Sequence, residues 1–221
     1  MKLLALETAT EACSAAVWVD GVVRERYELA PRRHAALILP MIESVFAEAG
    51  LIMNQLDAIA VGRGPGAFTG VRIAIGIAQG LAFAADLPVV PVSTLAALAL
   101  GAARETGQTR IATALDARMG EVYWGTWAVS DTRVELLGEE RVCAPALATA
   151  PHGEWFGVGS GWRVYAEVLS QRLTVSGWMG EQYPHAGDVA RLAADPAQRG
   201  AWVAAEQALP VYLRDRVVEK S

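Results

Sequence analysis

Lysine is almost missing from this 221-residue chain, occurring only as Lys2 and Lys220. The interior therefore offers no amine for a phosphate-binding P-loop or a Schiff base, and both chemistries are excluded together. Cysteine is nearly as scarce. Cys13 and Cys143 cannot supply a disulfide framework or a paired-cysteine metal site, and they read as small buried hydrophobes of a reducing compartment. The three histidines, His34, His152 and His185, have no second ligand at metal-binding spacing. Basic clusters are missing too. Arg32-Arg33 is the lone basic doublet, and 19 Lys+Arg against 24 Asp+Glu leave a net charge of -5. That balance argues against a protein that grips nucleic acid by itself. Leu87 to Ala103 is the longest stretch without charge, but Pro88 and Pro91 interrupt it. Glu7 ends the opening apolar run too early for a signal peptide. The expectation is a cytoplasmic protein with no membrane association.

What is present is apolar. Hydrophobic residues make up 53% and charged residues 19%, enough for a large core in one domain or two packed lobes. The first thirty residues read as three strands: Leu3 to Leu6, Ser14 to Asp20, and Val22 to Leu29, with Asp20-Gly21 as a two-residue hairpin turn. Ala35 to Ala49 changes to helical period, with Pro40 predicting a kink and Gly50 a C-terminal cap. Asp57 to Val61 predicts a strand, Gly62 to Gly66 a turn, and Thr69 the cap of a helix to about Ala85. Val89-Val90 is a buried strand, and Ser93 caps a helix through Arg104.

The second half starts alike. Ile111 to Leu115, Glu121 to Val129 and Arg133 to Arg141 predict three strands, with Asp131-Thr132 turning between the last two. Glu154 to Val158 is a later strand, Gly159-Ser160-Gly161 a turn, and Trp162 to Gln171 a helix. A repeat of topology without a repeat of sequence predicts an α/β protein of duplicated βββαβα lobes, the actin-like architecture. The lobes divide as residues 1–105 and 106–221.

Several segments then match one family. Gly64-Pro65-Gly66-Ala67-Phe68-Thr69-Gly70-Val71-Arg72 resembles the GPGSFTGLR signature of the bacterial TsaB (YeaZ) proteins. Leu4 to Thr10, Arg33-His34 with Leu39 to Ile42, and Val92 to Leu95 are similar to successive segments of that family. So are Asp116 to Tyr123, Gly157 to Gly161, and the terminal Pro210-Val211-Tyr212-Leu213-Arg214. The matches run in order along the whole chain.

The resemblance implies a non-catalytic partner in making threonylcarbamoyladenosine, the modified base beside the anticodon of tRNAs reading codons that begin with A. In that system the paralogue TsaD performs the transfer, TsaB pairs with TsaD, and the ATPase TsaE joins them. It also implies a homodimer when the chain is alone, and tRNA contact only through the complex. The alternative reading is a small kinase or ATPase of the same superfamily.

Site residues follow from both sources. The resemblance implies that TsaD holds a metal with two histidines one helical turn apart; here His34 is followed by Ile38, which cannot ligate. No metal and no catalytic residue is therefore expected, and His34 reads as a cap or surface residue. In the superfamily a glycine lets the turn after the first strand approach phosphate. This chain has Ala9 there, within Glu7-Thr8-Ala9-Thr10, and Arg118 at the corresponding crowded place after Asp116. Glu7, Thr8, Thr10, Asp116, Arg118, Gly157 and Gly159 are thus candidate vestigial nucleotide-binding residues. No cofactor should be tightly bound, and ATP or ADP is expected only within the complex with TsaD and TsaE. The Gly62 to Gly70 loop has no lysine and reads as a tight strand-to-helix connection. The following helix is apolar nearly all round, so one side should pack inside and the other on a partner. Candidate interface residues are Arg72, Gly76, Gln79, Gly80 and Phe83 there, with Leu37, Met41 and Val45 on the earlier helix. Of the seven tryptophans, Trp155, Trp162 and Trp178 read as core or protein-interface residues.

Overall fold

The computed structural model describes residues 1–131 and 133–214 of the chain. Its strands follow the short apolar runs. β1 (Lys2–Glu7) and β2 (Ala12–Val19) pair antiparallel, and β2 returns as β3 (Val22–Leu29). Asp20 and Gly21 make the turn between them with φ of 46° and 97°, the twist that a two-residue hairpin needs. α1 (His34–Ala49) leads to β4 (Ala58–Gly62), α2 (Phe68–Ala85) to β5 (Val89–Val92), and α3 (Thr94–Thr106) follows. β4 and β5 add in parallel, giving the order β3-β2-β1-β4-β5.

The second half contains β6 (Arg110–Arg118), β7 (Glu121–Ser130), β8 (Arg133–Leu136) and a short β9 (Arg141–Cys143). β10 (Glu154–Val158), α4 (Ser160–Arg172), β11 (Thr174–Met179) and α5 (Ala186–Gln198) complete it. The sheet order is β11-β10-β6-β7-β8, with β9 paired to β7. β6, β7 and β8 are antiparallel, whereas β10 and β11 add in parallel. Reversed, this is the order and polarity of the first sheet. The fold is the duplicated actin-like α/β arrangement.

Each sheet is covered on both faces. α1 and α2 close one face of the first sheet around Leu4, Leu6, Ile59 and Val61. α5 closes the other, with Val189, Ala190 and Ala193 against Leu3, Ala5, Ala16, Ala58 and Ala60. α3, which ends the first half, packs Leu95, Leu98 and Leu100 on Ile111, Leu115 and Trp127 of the second sheet. The far face of that sheet meets α4 through Trp124, Trp155 and Trp162. Each half thus donates its last helix to the other half's sheet.

Four predicted details change. The strand from Arg133 to Arg141 is two strands, because Gly138 takes a φ of 113° and ends β8. The cap of α2 is Ala67 rather than Thr69; the Ala67 carbonyl already accepts from Val71, leaving Thr69 inside the helix. α1 runs unbroken through Pro40, where Ala36 and Pro40 are both exposed and water can serve the freed carbonyl. The second lobe departs from βββαβα: between β9 and β10 there is only a 3-10 turn at Pro145–Leu147, in a segment also broken by Pro151 and Gly153. Ser93 caps α3 as expected, accepting from the Ala96 amide at 3.1 Å. Thr132, half of the expected Asp131-Thr132 turn, lies outside the described residues.

Candidate functional site

Two surfaces gather the sequence candidates: the outer side of α2 and a cleft between the lobes. α2 is the one helix among the described residues long and apolar enough to suit a membrane. Its apolar residues are divided between two faces. Val71, Ala74, Ile75, Ala78 and Ala82 enter the core of the first lobe. Arg72, Gly76, Gly80 and Phe83 lie on the exposed side, Phe83 with 83% of its surface open. A Cβ at Gly76 or Gly80 would meet nothing within 4 Å among the described residues, so a smooth backbone stripe faces outward. Gln79 sits at its margin, donating to the Ala208 carbonyl at 3.0 Å.

At the N-terminal end of this face the Arg72 guanidinium lies 3.5 Å from the Phe68 ring centroid and 5.4 Å from that of Tyr212. All three side chains belong to exposed residues, and a guanidinium on aromatic faces is a common composition of binding hot spots. The α1 candidates fare differently. Val45 is fully buried and Met41 nearly so, both in the chain's own core, and Leu37 packs at its edge. Helical phase decides this, since Met41 and Val45 share the inward stripe with Ile38. The part of α1 open to a partner carries Leu39, Pro40 and Glu43 instead.

The cleft encloses about 490 Å³ between the β1–β2 turn, the start of α1, the start of α2, the β6–β7 hairpin and Ser160. Thr10, Asp116 and Arg118 line it, but Glu7, Thr8, Gly157 and Gly159 do not. The Glu7 carboxylate is buried below, accepting from the Ala9 amide at 2.7 Å and the Thr94 hydroxyl at 3.0 Å. Burial pushes its pKa up to about 7, against these stabilising bonds. The Thr8 hydroxyl donates to the Gly70 carbonyl at 2.7 Å. Gly157 makes room for the Trp162 indole, which a Cβ would meet at 2.4 Å. Gly159 turns with φ of 108° to start α4 beside the Ala114 carbonyl. The structure shows the last two as packing positions. Asp116 is held by the Arg118 guanidinium at 2.8 Å, and Arg118 reaches on to Glu11 across the cleft at 3.2 Å.

The glycine-rich loop is likewise structural. A Cβ at Gly66 would meet the Ala9 carbonyl at 2.3 Å, and one at Gly70 the Thr8 carbonyl at 2.2 Å. These glycines let α2 press on the β1–β2 turn, and the Ala67 amide is taken by the Ala9 carbonyl at 2.7 Å. His34 is neither a cap nor a surface residue. It is buried, with Nε2 2.9 Å from the Thr10 carbonyl oxygen, and fastens α1 to the same turn. Ile38 is fully buried, and no cluster of three metal-ligating side chains occurs among the described residues. Trp155 and Trp162 are core, while Trp178 is about half exposed. Sequence reasoning gave no role to Tyr212 and Arg214, although their terminal motif was visible. It missed Glu140, which bridges the lobes by accepting from the Ser93 hydroxyl and pairing with Arg63 at 3.4 Å.

The chain is 44% identical to the tRNA threonylcarbamoyladenosine biosynthesis protein TsaB of Escherichia coli K12, over all of this chain and 97% of that one. The Haemophilus influenzae protein of the same name is 41% identical, over all of this chain and 96% of its own. The chain belongs to the TsaB family. The solved structure of YeaZ from Pseudomonas aeruginosa superposes with a TM-score of 0.91 at 50% identity, covering 96% of this chain and 99% of that one. The family model for TsaD, tRNA N6-adenosine threonylcarbamoyltransferase, matches residues 19–177. TsaB membership thus coincides with likeness to a transferase family, in a chain whose Ile38 is core.

Proposed function

We propose that this protein serves threonylcarbamoyladenosine formation in tRNA as a non-catalytic partner, docking a TsaD-type transferase on the outer side of α2. The carrying observation is the open stripe of Gly76 and Gly80 between Arg72 and Phe83. Such a stripe lets another helix approach closely, and a stable contact needs on the order of 800 Å² per partner. The names of its TsaB relatives support the pathway, and the match to the TsaD model supports a partner of related shape. Alone, the chain pairs with a second copy through the same face, so TsaD and self-association compete. TsaE joins the pair, ATP or ADP is engaged only in that assembly, and tRNA is met through it, in the cytoplasm. The rival kinase or ATPase reading is disfavoured by Arg118, which spans the cleft to Glu11.

Gly76→Arg tests the reading. The variant should keep the far-ultraviolet circular dichroism of the parent, sediment as a monomer and fail to capture the cognate TsaD. A folded variant that still captures TsaD at full affinity would overturn docking at α2.

A further inference from the structure

The terminal Pro210–Arg214 motif is not consumed by docking alone, and its contacts run in two directions. The chain approaches it along the first lobe. Val203 forms an antiparallel bridge with Val89, and the Ala208 carbonyl accepts from Gln79 of α2. The Val211 amide then donates to the Arg63 carbonyl at 2.8 Å, at the end of β4. Tyr212 turns toward α2, with its ring centroid 5.4 Å from that of Phe68. Two residues on, Arg214 belongs to the other lobe. It donates to the Ala117 carbonyl at 3.0 Å and to the Glu121 carboxylate at 2.5 Å, both on the β6–β7 hairpin. Its guanidinium lines the interlobe cleft beside Asp116 and Arg118. The hairpin itself is bent, with Arg118, Met119 and Gly120 all at positive φ.

We propose that Pro210–Arg214 is a coupler: Tyr212 forms part of the surface that receives the partner on α2, and Arg214 sets the hairpin that walls the cleft. The inference rests on the docking reading above. A partner pressing on Phe68, Arg72 and Tyr212 fixes the strap, and the strap, anchored at Val211, fixes Arg214 and the hairpin. Any such linkage is reciprocal. Loosening the hairpin end must therefore weaken docking, although the bonds of Arg214 go to the hairpin and not to α2.

Two measurements on the full chain test this. Hydrogen–deuterium exchange of the hairpin amides, about residues 115–123, is followed with and without the cognate TsaD, and TsaD affinity is measured by calorimetry. In the parent protein TsaD should slow hairpin exchange. In Arg214→Ala the hairpin should exchange faster and ignore TsaD, and affinity should fall about 5- to 10-fold. Arg214→Lys, which keeps a cation beside Glu121, should recover part of both effects. If Gly76→Arg abolishes capture but TsaD leaves hairpin exchange unchanged in the parent, coupling is refuted while docking stands. An affinity unaffected by Arg214→Ala refutes it equally. Capture that survives Gly76→Arg removes the docking face, and the coupling with it.

Discussion

The first sheet carries two helices on its outer face, α1 and α2; the second carries α4 alone, with a 3-10 turn where the other helix would lie. In the second lobe indoles take up part of that space. Trp124 and Trp162 lie 6.3 Å apart, and Trp155 and Leu169 pack with them, all essentially buried. Trp124 also lines a groove of about 490 Å³ beside Leu137 and Pro151, and Val164 and Val168 of α4 are exposed. In the first lobe the outer layer ends in glycines and a solvent-exposed phenylalanine. One strand order thus supports an outer layer built on indoles and an outer layer built on a smooth glycine stripe. The difference lies in residue size at the outermost layer.

The comparison breaks first at Trp162. Its Nε1 donates to the Ala112 carbonyl at 2.8 Å and its ring covers Gly157. Trp162→Ala should cost about 3–5 kcal/mol in urea unfolding. A loss below about 1 kcal/mol would mean that the indoles do not replace the absent helix.

A second test concerns Glu7 of the first lobe. Its pKa is about 7 when folded and near 4.5 in the unfolded chain, so the native state holds a proton that the unfolded state releases between those values. Stability contributed by this site is therefore present below about pH 4.5 and declines as pH rises toward 7. The decline is on the order of 3 kcal/mol. Unfolding midpoints at pH 5 and pH 8 should differ more for the parent than for Glu7→Gln. Equal pH slopes would show that Glu7 is ionised without cost.

The smallest effect sharpens the contrast between glycines. Gly76→Ala adds a methyl group in open space within a helix of the single chain and, at protein concentrations low enough to keep it monomeric, should stabilise it by about 0.5–1 kcal/mol. Destabilisation in the thermal midpoint would place Gly76 inside a packed layer.

Much of this plan was legible. Alternating runs and the Asp20-Gly21 turn located β1 to β3, and Ser93 located α3. Apolar residues all round α2 signalled a helix with more than one apolar face; one is buried in the core, and Gly76 lies on the other, which is exposed. The same logic misplaced Met41 and Val45, because an amphipathic helix shows which residues share a stripe without saying which stripe meets the sheet. Gly157 and Gly159 carry a related ambiguity: a glycine for phosphate and a glycine for an indole look identical in sequence. Glu140, Tyr212 and Arg214 act through partners 47 to 144 residues distant, read from Ser93 to Glu140, from Ala117 to Arg214 and from Phe68 to Tyr212. No local pattern encodes such distances.

The exchange of last helices has a consequence during synthesis. When the ribosome has delivered the five strands of the first sheet, α1 and α2 can shield one side, but α5 is still just over a hundred residues from completion. Leu3, Ala5, Ala16, Ala58 and Ala60 then form an apolar sheet face with nothing to cover it, and α3 waits for a sheet not yet made. A first sheet folded at that stage would be half clothed, a state of the kind that invites aggregation. The second face of the first sheet is covered only when Ala186–Gln198 has emerged, so completion of the first half depends on the end of the second.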